Sequence, residues 1–110
     1  MKAVGWGMQL VHSVTLAADG GSQTVQLDDR GNLVGEWYCF GEDVAYEFAN
    51  QLIFSKSAQA GLGGVLGKAP GTNATAIVEA LGRRFSSYWE IAEFVDAKGV
   101  PHERKVDFWP

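Results

Sequence analysis

Strict alternation of side chains over residues 8–16 constrains the fold more than any other feature of this sequence. A period of two residues, with β-branched side chains in the run, is typical of a strand that buries one face. Asp19 and Gly20 follow the run, and Asp-Gly is a strong signal for a hairpin because glycine accepts positive φ. The inward face of this predicted first strand carries Met8, Leu10, His12, Val14 and Leu16.

Two further runs continue this pattern and predict a three-stranded meander. Residues 23–27 place Val25 and Leu27 inward, and residues 28–32 have the composition of a second tight turn. The third strand is expected over residues 33–40. Its inward face carries Leu33, Gly35, Trp37 and Cys39, and its outward face carries Val34, Glu36, Tyr38 and Phe40.

Two helices are predicted after the meander. Val44, Phe48 and Leu52 recur every four residues, which indicates an amphipathic helix over residues 43–57. A second helix is expected to start near Asn73, a residue type that favours the N-cap position. Its apolar stripe comprises Ala74, Ile77, Val78, Leu81 and Phe85.

Residues 86–110 allow two interpretations. The helix continues through Trp89 and Val95 and stops at Gly99, or residues 88–95 and 102–109 are two strands joined by a turn. We favour the hairpin, because a chain-reversal signal lies between two aromatic, β-branched segments. The predicted fold is therefore α+β in the order β-β-β-α-α-β-β, a single domain with an antiparallel sheet of about five strands and two helices packed on one face.

Composition excludes several classes of function. A chain of 110 residues with 46% hydrophobic residues can bury a core in one domain. The net charge of −4 disfavours binding to nucleic acid, because it repels phosphates. With one cysteine, no signal-like N-terminus and no run of 18 apolar residues, we expect a cytoplasmic protein without a membrane segment.

The glycine-rich residues 60–73 resemble a phosphate-binding loop only superficially. In the P-loop pattern, Leu62 replaces the first glycine and Ala69 replaces the serine or threonine, while Leu66 breaks the dinucleotide pattern. We therefore expect no nucleotide cofactor. The segment is either a connector between two helices, with or without a short helical turn, or a flap whose Leu62, Val65 and Leu66 cover an apolar pocket.

A pocket is predicted between the sheet and the helices, beneath residues 61–70. We expect it to hold a small apolar or cationic ligand, or the basic surface of a protein partner, because the N-terminal half is acidic. The alternative is an acid–base enzyme that uses His12 and a carboxylate such as Glu90. Two histidines 90 residues apart indicate no metal site. The predicted pocket residues are His12, Trp37, Cys39, Leu62, Val65 and Leu66.

Self-association is expected because the outward face of the sheet carries many apolar side chains. A homodimer or larger assembly would form through that face or through one side of the first helix. The predicted interface residues are Val34, Tyr38, Phe40, Tyr46, Phe54 and Trp109.

Residues 37–48, WYCFGEDVAYEF, follow a predicted hairpin and resemble the strand and following helix of small domains such as the KTSC domain. The Ser-Lys-Gly-x-x-x-Asn part of that family is not matched, Ser55-Lys56-Ser57 being the nearest run, and no function is transferred. The overall character of the sequence is similar to that of orphan proteins of phages or integron cassettes. That similarity adds a third hypothesis, inhibition of a protein partner.

Overall fold

The computed structural model describes residues 13–17, 21–39 and 47–109. These residues form a five-stranded antiparallel sheet and three helices, which confirms the α+β class. The strands lie in the sheet in chain order, and all three helices stand between the fourth and fifth strands. The elements are β1 (Ser13–Thr15), β2 (Ser22–Leu27), β3 (Leu33–Cys39), β4 (Glu47–Phe54), α1 (Lys56–Val65), α2 (Ala74–Arg84), α3 (Tyr88–Lys98) and β5 (Glu103–Trp109).

The sheet buries one face against the helices, as the alternation predicts. Val14 lies opposite Val25, Val25 opposite Gly35, and Gly35 opposite Leu52, so one line of inward positions crosses four strands. Leu16 is buried as well. The predicted inward positions of the meander are confirmed wherever the structure describes them. The core is completed by Leu33, Phe54, Ala58, Leu62, Ile77, Val78, Leu81, Tyr88, Ile91, Ala92, Val95 and Val100.

The second predicted helix is present as α2. The side chain of Asn73 accepts a hydrogen bond from the N–H of Ala76 at 2.9 Å, which confirms the predicted N-cap. At its other end α2 packs closely on β1, where a Cβ added to Gly82 would lie 3.2 Å from the Cβ of Val14. Among the described helices, none has the length and apolar character of a membrane span.

The prediction of a helix over residues 43–57 was wrong for Glu47–Phe54. Glu47–Phe54 is a strand that pairs with β3 on one side and β5 on the other. A spacing of four residues fits a helix, but it is also twice the two-residue period of a strand. Phe48 and Leu52 therefore share one face in either structure, and pairing with two neighbouring strands decides between them.

The preferred hairpin in the C-terminal part was half wrong. Residues 103–109 form the expected strand, but residues 88–98 form helix α3. A capping box starts this helix: Ser87 and Glu90 each accept a hydrogen bond from the backbone N–H of the other. Gly99, in the left-handed conformation with φ of 69°, ends it.

The other face of the sheet is mostly polar in the described residues, contrary to the expectation of a broad apolar patch. Glu36 on β3 accepts a hydrogen bond at 2.8 Å from the side-chain amide of Gln51 on the neighbouring strand β4. Val34 lies on this face but is buried, and Tyr38 is half-buried. Phe54, expected on the outside of a helix, is fully buried in the core. Of the other predicted interface residues, Phe40, Tyr46 and the side chain of Trp109 lie outside the described residues.

Candidate functional site

The glycine-rich segment is largely helical. Residues 60–65 form the second half of α1, and Leu62 is fully buried in the core while Val65 and Leu66 pack against it. The N–H of Gly67 bonds to the Gly64 carbonyl at 3.0 Å, and the N–H of Lys68 bonds to the Gly63 carbonyl at 2.9 Å. This is a Schellman motif, and its left-handed position is taken by Gly67 with φ of 79°. The segment is a helix end followed by a short connector.

The predicted location of a pocket, between the sheet and α1, is occupied by core side chains. Leu62 of α1 is fully buried there and packs in the core against the apolar face of the sheet. A smaller cavity of about 210 Å³ lies beside the glycine-rich segment instead. It is lined by Gln59, Ala60, Gly63, Gly64, Lys68, Ala69, Pro70, Gly71, Thr72 and Ile77.

A larger cleft, of about 630 Å³, lies where the start of α1 meets the start of β5. Its volume is within the range of small-molecule sites, roughly 300–1,000 Å³. Polar side chains from three separate segments border it. We call it the α1–β5 cleft; its lining is Asn32, Ile53, Ser55, Ser57, Ala58, Gly61, Pro101, His102 and Glu103.

The turn between β2 and β3 holds Asn32 at the edge of the cleft. One carboxylate oxygen of Asp28 accepts from the N–H groups of Arg30 at 2.9 Å and Asn32 at 2.8 Å, and the other accepts from the Asn32 amide at 3.1 Å. Burial works to raise the pKa of Asp28, but these hydrogen bonds outweigh it and the pKa is lowered. Ionised Asp28 therefore fixes this wall of the cleft.

Gln59 ties the turn, the sheet and α1 together behind the cleft. Its side chain is buried, and its amide nitrogen donates to the carbonyl of Gly31 at 2.9 Å and to the carbonyl of Phe54 at 3.0 Å. Gly31 and Phe54 directly precede Asn32 and Ser55, which line the cleft. A buried polar side chain is stable only when it is hydrogen-bonded, so Gln59 sets the distance between these segments.

The opposite wall of the cleft is held by an Asp96–His102–Arg104 cluster. The Nδ1 of His102 donates to the Val100 carbonyl at 2.8 Å, because a carbonyl can only accept, and the Nε2 lies 3.4 Å from the Asp96 carboxylate. The second oxygen of Asp96 bonds to Arg104 at 2.6 Å. The His102 side chain is 11% exposed and packs beside the ring of Phe54. Both ring nitrogens therefore face oxygen atoms of the protein, which hold His102 in place as part of this wall.

Gly61 opens the cleft from the side of α1. It lies in the middle of the helix, and a Cβ added to it would meet no described atom within 4 Å. A glycine inside a helix is less stable than alanine by about 0.8–1.0 kcal/mol. Within the described residues, no contact explains this cost, and the missing side chain leaves room in the cleft.

The structure separates the other predicted site residues from this cleft. Trp37 lies opposite Asn50, four residues along β3 from Leu33, and packs edge-to-face on Phe48 and Trp89 at 5.3 and 5.5 Å. Cys39 is a half-buried free thiol further along the same strand. His12 lies outside the described residues, so a pair of His12 with Cys39 or Glu90 is not defined.

Glu90 serves as a helix cap. Its carboxylate accepts from the N–H of Ser86 at 2.6 Å, from the Ser86 hydroxyl at 2.9 Å and from the N–H of Ser87 at 3.2 Å. The Ser86 hydrogen bonds lower the pKa of this exposed carboxyl, which keeps it ionised. Glu90 is therefore suited to stabilising α3 and is a poor proton donor at neutral pH.

Sequence reasoning missed Gln59, the Asp28 hydrogen bonds and the Asp96–His102–Arg104 cluster. The Asp-x-x-Gly-Asn turn did carry a signal for Asp28, because an aspartate side chain often bonds to N–H groups two residues on. No sequence signal marks Gln59 or His102, whose partners are distant along the chain. Among residues 13–17, 21–39 and 47–109, no group of His, Cys, Asp and Glu side chains is placed to hold a metal ion.

Comparison of the chain with protein-family models, curated proteins and solved structures found no match.

Proposed function

We propose that this chain is a small binding protein that holds a small cationic molecule in the α1–β5 cleft. The sequence predicts a small apolar or cationic ligand but in a different place, beneath residues 61–70. Gly61 is the strongest single support for the new location, because it weakens α1 and leaves the cleft open.

Glu103 supports a cationic ligand over an apolar one. Among the described residues, it is the one acidic side chain in the lining of the cleft, and the chain carries a net charge of −4 that attracts cations from solution. Asn32, Ser55 and Ser57 add oxygen acceptors. The N-terminus of α1 also borders the cleft and favours anions, but the hydroxyl of its N-cap Ser55 already accepts the N–H of Ala58 at 3.3 Å. A full carboxylate charge outweighs the partly satisfied helix end.

An NMR titration of isotopically labelled protein would test the ligand class. Alkylamines and quaternary ammonium ions are compared with carboxylates and alcohols of the same size. We expect the cations alone to shift the amide signals of Ser57, Gly61 and Glu103 in a saturable way. Shifts with no compound, or shifts confined to residues outside the cleft, would contradict the proposal.

A pair of glutamate variants separates the site from general electrostatic attraction. Glu103→Gln removes the charge in the cleft, and Glu93→Gln removes a charge from the exposed side of α3. We expect Glu103→Gln to weaken cation binding clearly and Glu93→Gln to leave it nearly unchanged. Equal weakening in both variants would point to the net charge and not to the cleft.

Self-association remains part of the proposal, as the sequence predicts. Trp89 and Val106 support it, because both are large apolar side chains and about half of each is exposed, 47% and 48%. The two other sequence-based hypotheses are an acid–base enzyme that uses His12 and a protein that inhibits a partner. NMR titration of His12 would test the first, and capture of a partner from the native host would test the second.

A further inference from the structure

The outer edge of β5 has no strand partner among the described residues. β5 pairs with β4 on one side and is the last of the described strands in the sheet. The free N–H and C=O groups of an edge strand can pair with another strand. Val106, at the centre of β5, is 48% exposed. This edge therefore combines a backbone that pairs with no described strand and an exposed β-branched side chain.

We propose that two copies of this chain pair antiparallel through β5, with Val106 of both copies at the two-fold axis. The two sheets then join into one continuous sheet, with the helices of both copies on the same face. This inference rests on the self-association proposed above but does not depend on the ligand. It replaces the interfaces expected from the sequence, which involve the open face of the sheet or one side of a helix.

Symmetry restricts how β5 can pair with itself. Two identical antiparallel neighbours are related by a two-fold axis perpendicular to the sheet, so a residue keeps its face in both copies. Residues directly opposite each other must therefore share a face. The axis must then pass midway between the two copies of one residue. Centring on Val106 places Lys105 opposite Asp107 of the second copy, and Asp107 opposite Lys105 of the second copy.

The neighbouring registers are unfavourable because they oppose like charges. Centring on Lys105 places the two copies of Lys105 against each other and Glu103 against Asp107. Centring on Asp107 places two carboxylates together. The register centred on Val106 forms two pairs of opposite charge and uses the full length of Glu103–Trp109.

In the single chain, Lys105 and Asp107 already lie close together, and in the dimer each would pair with the other residue of the second copy. The Lys105 ammonium and the Asp107 carboxylate lie 4.0 Å apart, and their side chains are 57% and 42% exposed. An exposed ion pair of this length contributes little to stability, so exchanging partners across the axis loses little. The two copies of Val106 would then pack together on the helix-bearing face, where β-branched cross-strand pairs stabilise a sheet.

Charged side chains on an edge also serve to prevent strand pairing. The two roles predict opposite results. A protective edge keeps the chain monomeric, and reversing one of its charges leaves the molar mass in solution unchanged. A self-complementary edge gives a dimer that one reversal weakens and a second, compensating reversal restores.

Light scattering after size-exclusion chromatography and sedimentation equilibrium measure the outcome on the full chain. We expect the wild-type protein to reach twice its 11.9 kDa mass with increasing concentration. Lys105→Asp and Asp107→Lys should each weaken dimerisation by at least about tenfold, because symmetry places each change in two pairs. The double exchange, Lys105→Asp with Asp107→Lys, should restore it. Glu93→Lys makes the same change in net charge as Asp107→Lys on exposed α3 and should have no effect.

Each result has a distinct meaning. A monomeric wild-type protein would overturn both self-association and the β5 interface, while ligand binding in the cleft is measured separately by NMR. A wild-type dimer that ignores both single reversals would overturn the interface alone, and failure of the double exchange would overturn the register. Should a variant not fold, hydrogen exchange of the wild-type protein decides: outward amides of β5 must lose protection on dilution, and constant protection would contradict the interface.

Discussion

Replacement of Gly61 by alanine tests whether α1 gives up stability to keep the cleft open. The added Cβ meets no described atom within 4 Å, so helix propensity dominates and the free energy of unfolding should rise by about 0.8–1.0 kcal/mol. For a domain of this size, that corresponds to an increase in melting temperature of about 3–5 °C. Urea and thermal unfolding measure both quantities.

Gly64→Ala is the matched control. Gly64 is also exposed and also has open space around an added Cβ, but it borders the smaller cavity and not the α1–β5 cleft. Because it lies in the last turn of α1, we expect a smaller gain, about half as large. Only Gly61→Ala should weaken binding of an ammonium ligand in the NMR titration. A loss of stability in Gly61→Ala, or unchanged affinity, would refute this account of the glycine.

Three further substitutions test the supports of the fold. In the wild-type protein, the N–H of Tyr88 donates to the side chain of Gln23 at 2.7 Å, and Gln23→Leu removes this acceptor. The free energy of unfolding measured in urea should fall by about 1–3 kcal/mol, and an unchanged value would contradict this role. Gly82→Ala forces α2 away from Val14 and should also cost about 1–3 kcal/mol, so a gain in stability, as at Gly61, would contradict the close packing. Glu90→Gln should unfold at lower urea than the wild-type protein at pH 7. Because the folded-state pKa of Glu90 is lowered, the difference in urea midpoint between the two proteins should vanish as the pH falls through that pKa. A difference that persists in acid would show that the charge of Glu90 is not its cause.

The meander was predictable because alternation and turn chemistry agree there. Val25 and Leu27 alternate with polar residues, and Asp28 with Gly31 supplies a turn whose hydrogen bonds are local. Such a segment carries its own register, because a shift by one residue would expose every inward side chain. Nothing distant along the chain has to be known.

Strand β4 was not predictable in this way, because its pattern fits two periods. Phe48 and Leu52 lie on one face of either a helix or a strand, and Phe54 decides the matter only once its burial is known. Helix α3 is a different case, since Ser87 and Glu90 form the Ser-x-x-Glu signal of a capping box. The hairpin was preferred because of the aromatic and β-branched residues, which pack equally well on the buried side of a helix.

The α1–β5 cleft shows why a site can escape prediction when each of its residues is ordinary. Asn32 belongs to a turn, Ser55 is an N-cap and His102 follows a proline, and each has a sufficient local explanation. They meet because β4 pairs with both β3 and β5, which brings the turn before β3 and the start of β5 to the same end of the sheet. When Glu47–Phe54 is wrongly predicted as a helix, these residues are no longer expected to meet, and the cleft is missing from the predicted structure. Gly61 is the exception, because the cost of a glycine inside α1 follows from the sequence alone once the helix is placed, and that cost marks the position of the cleft.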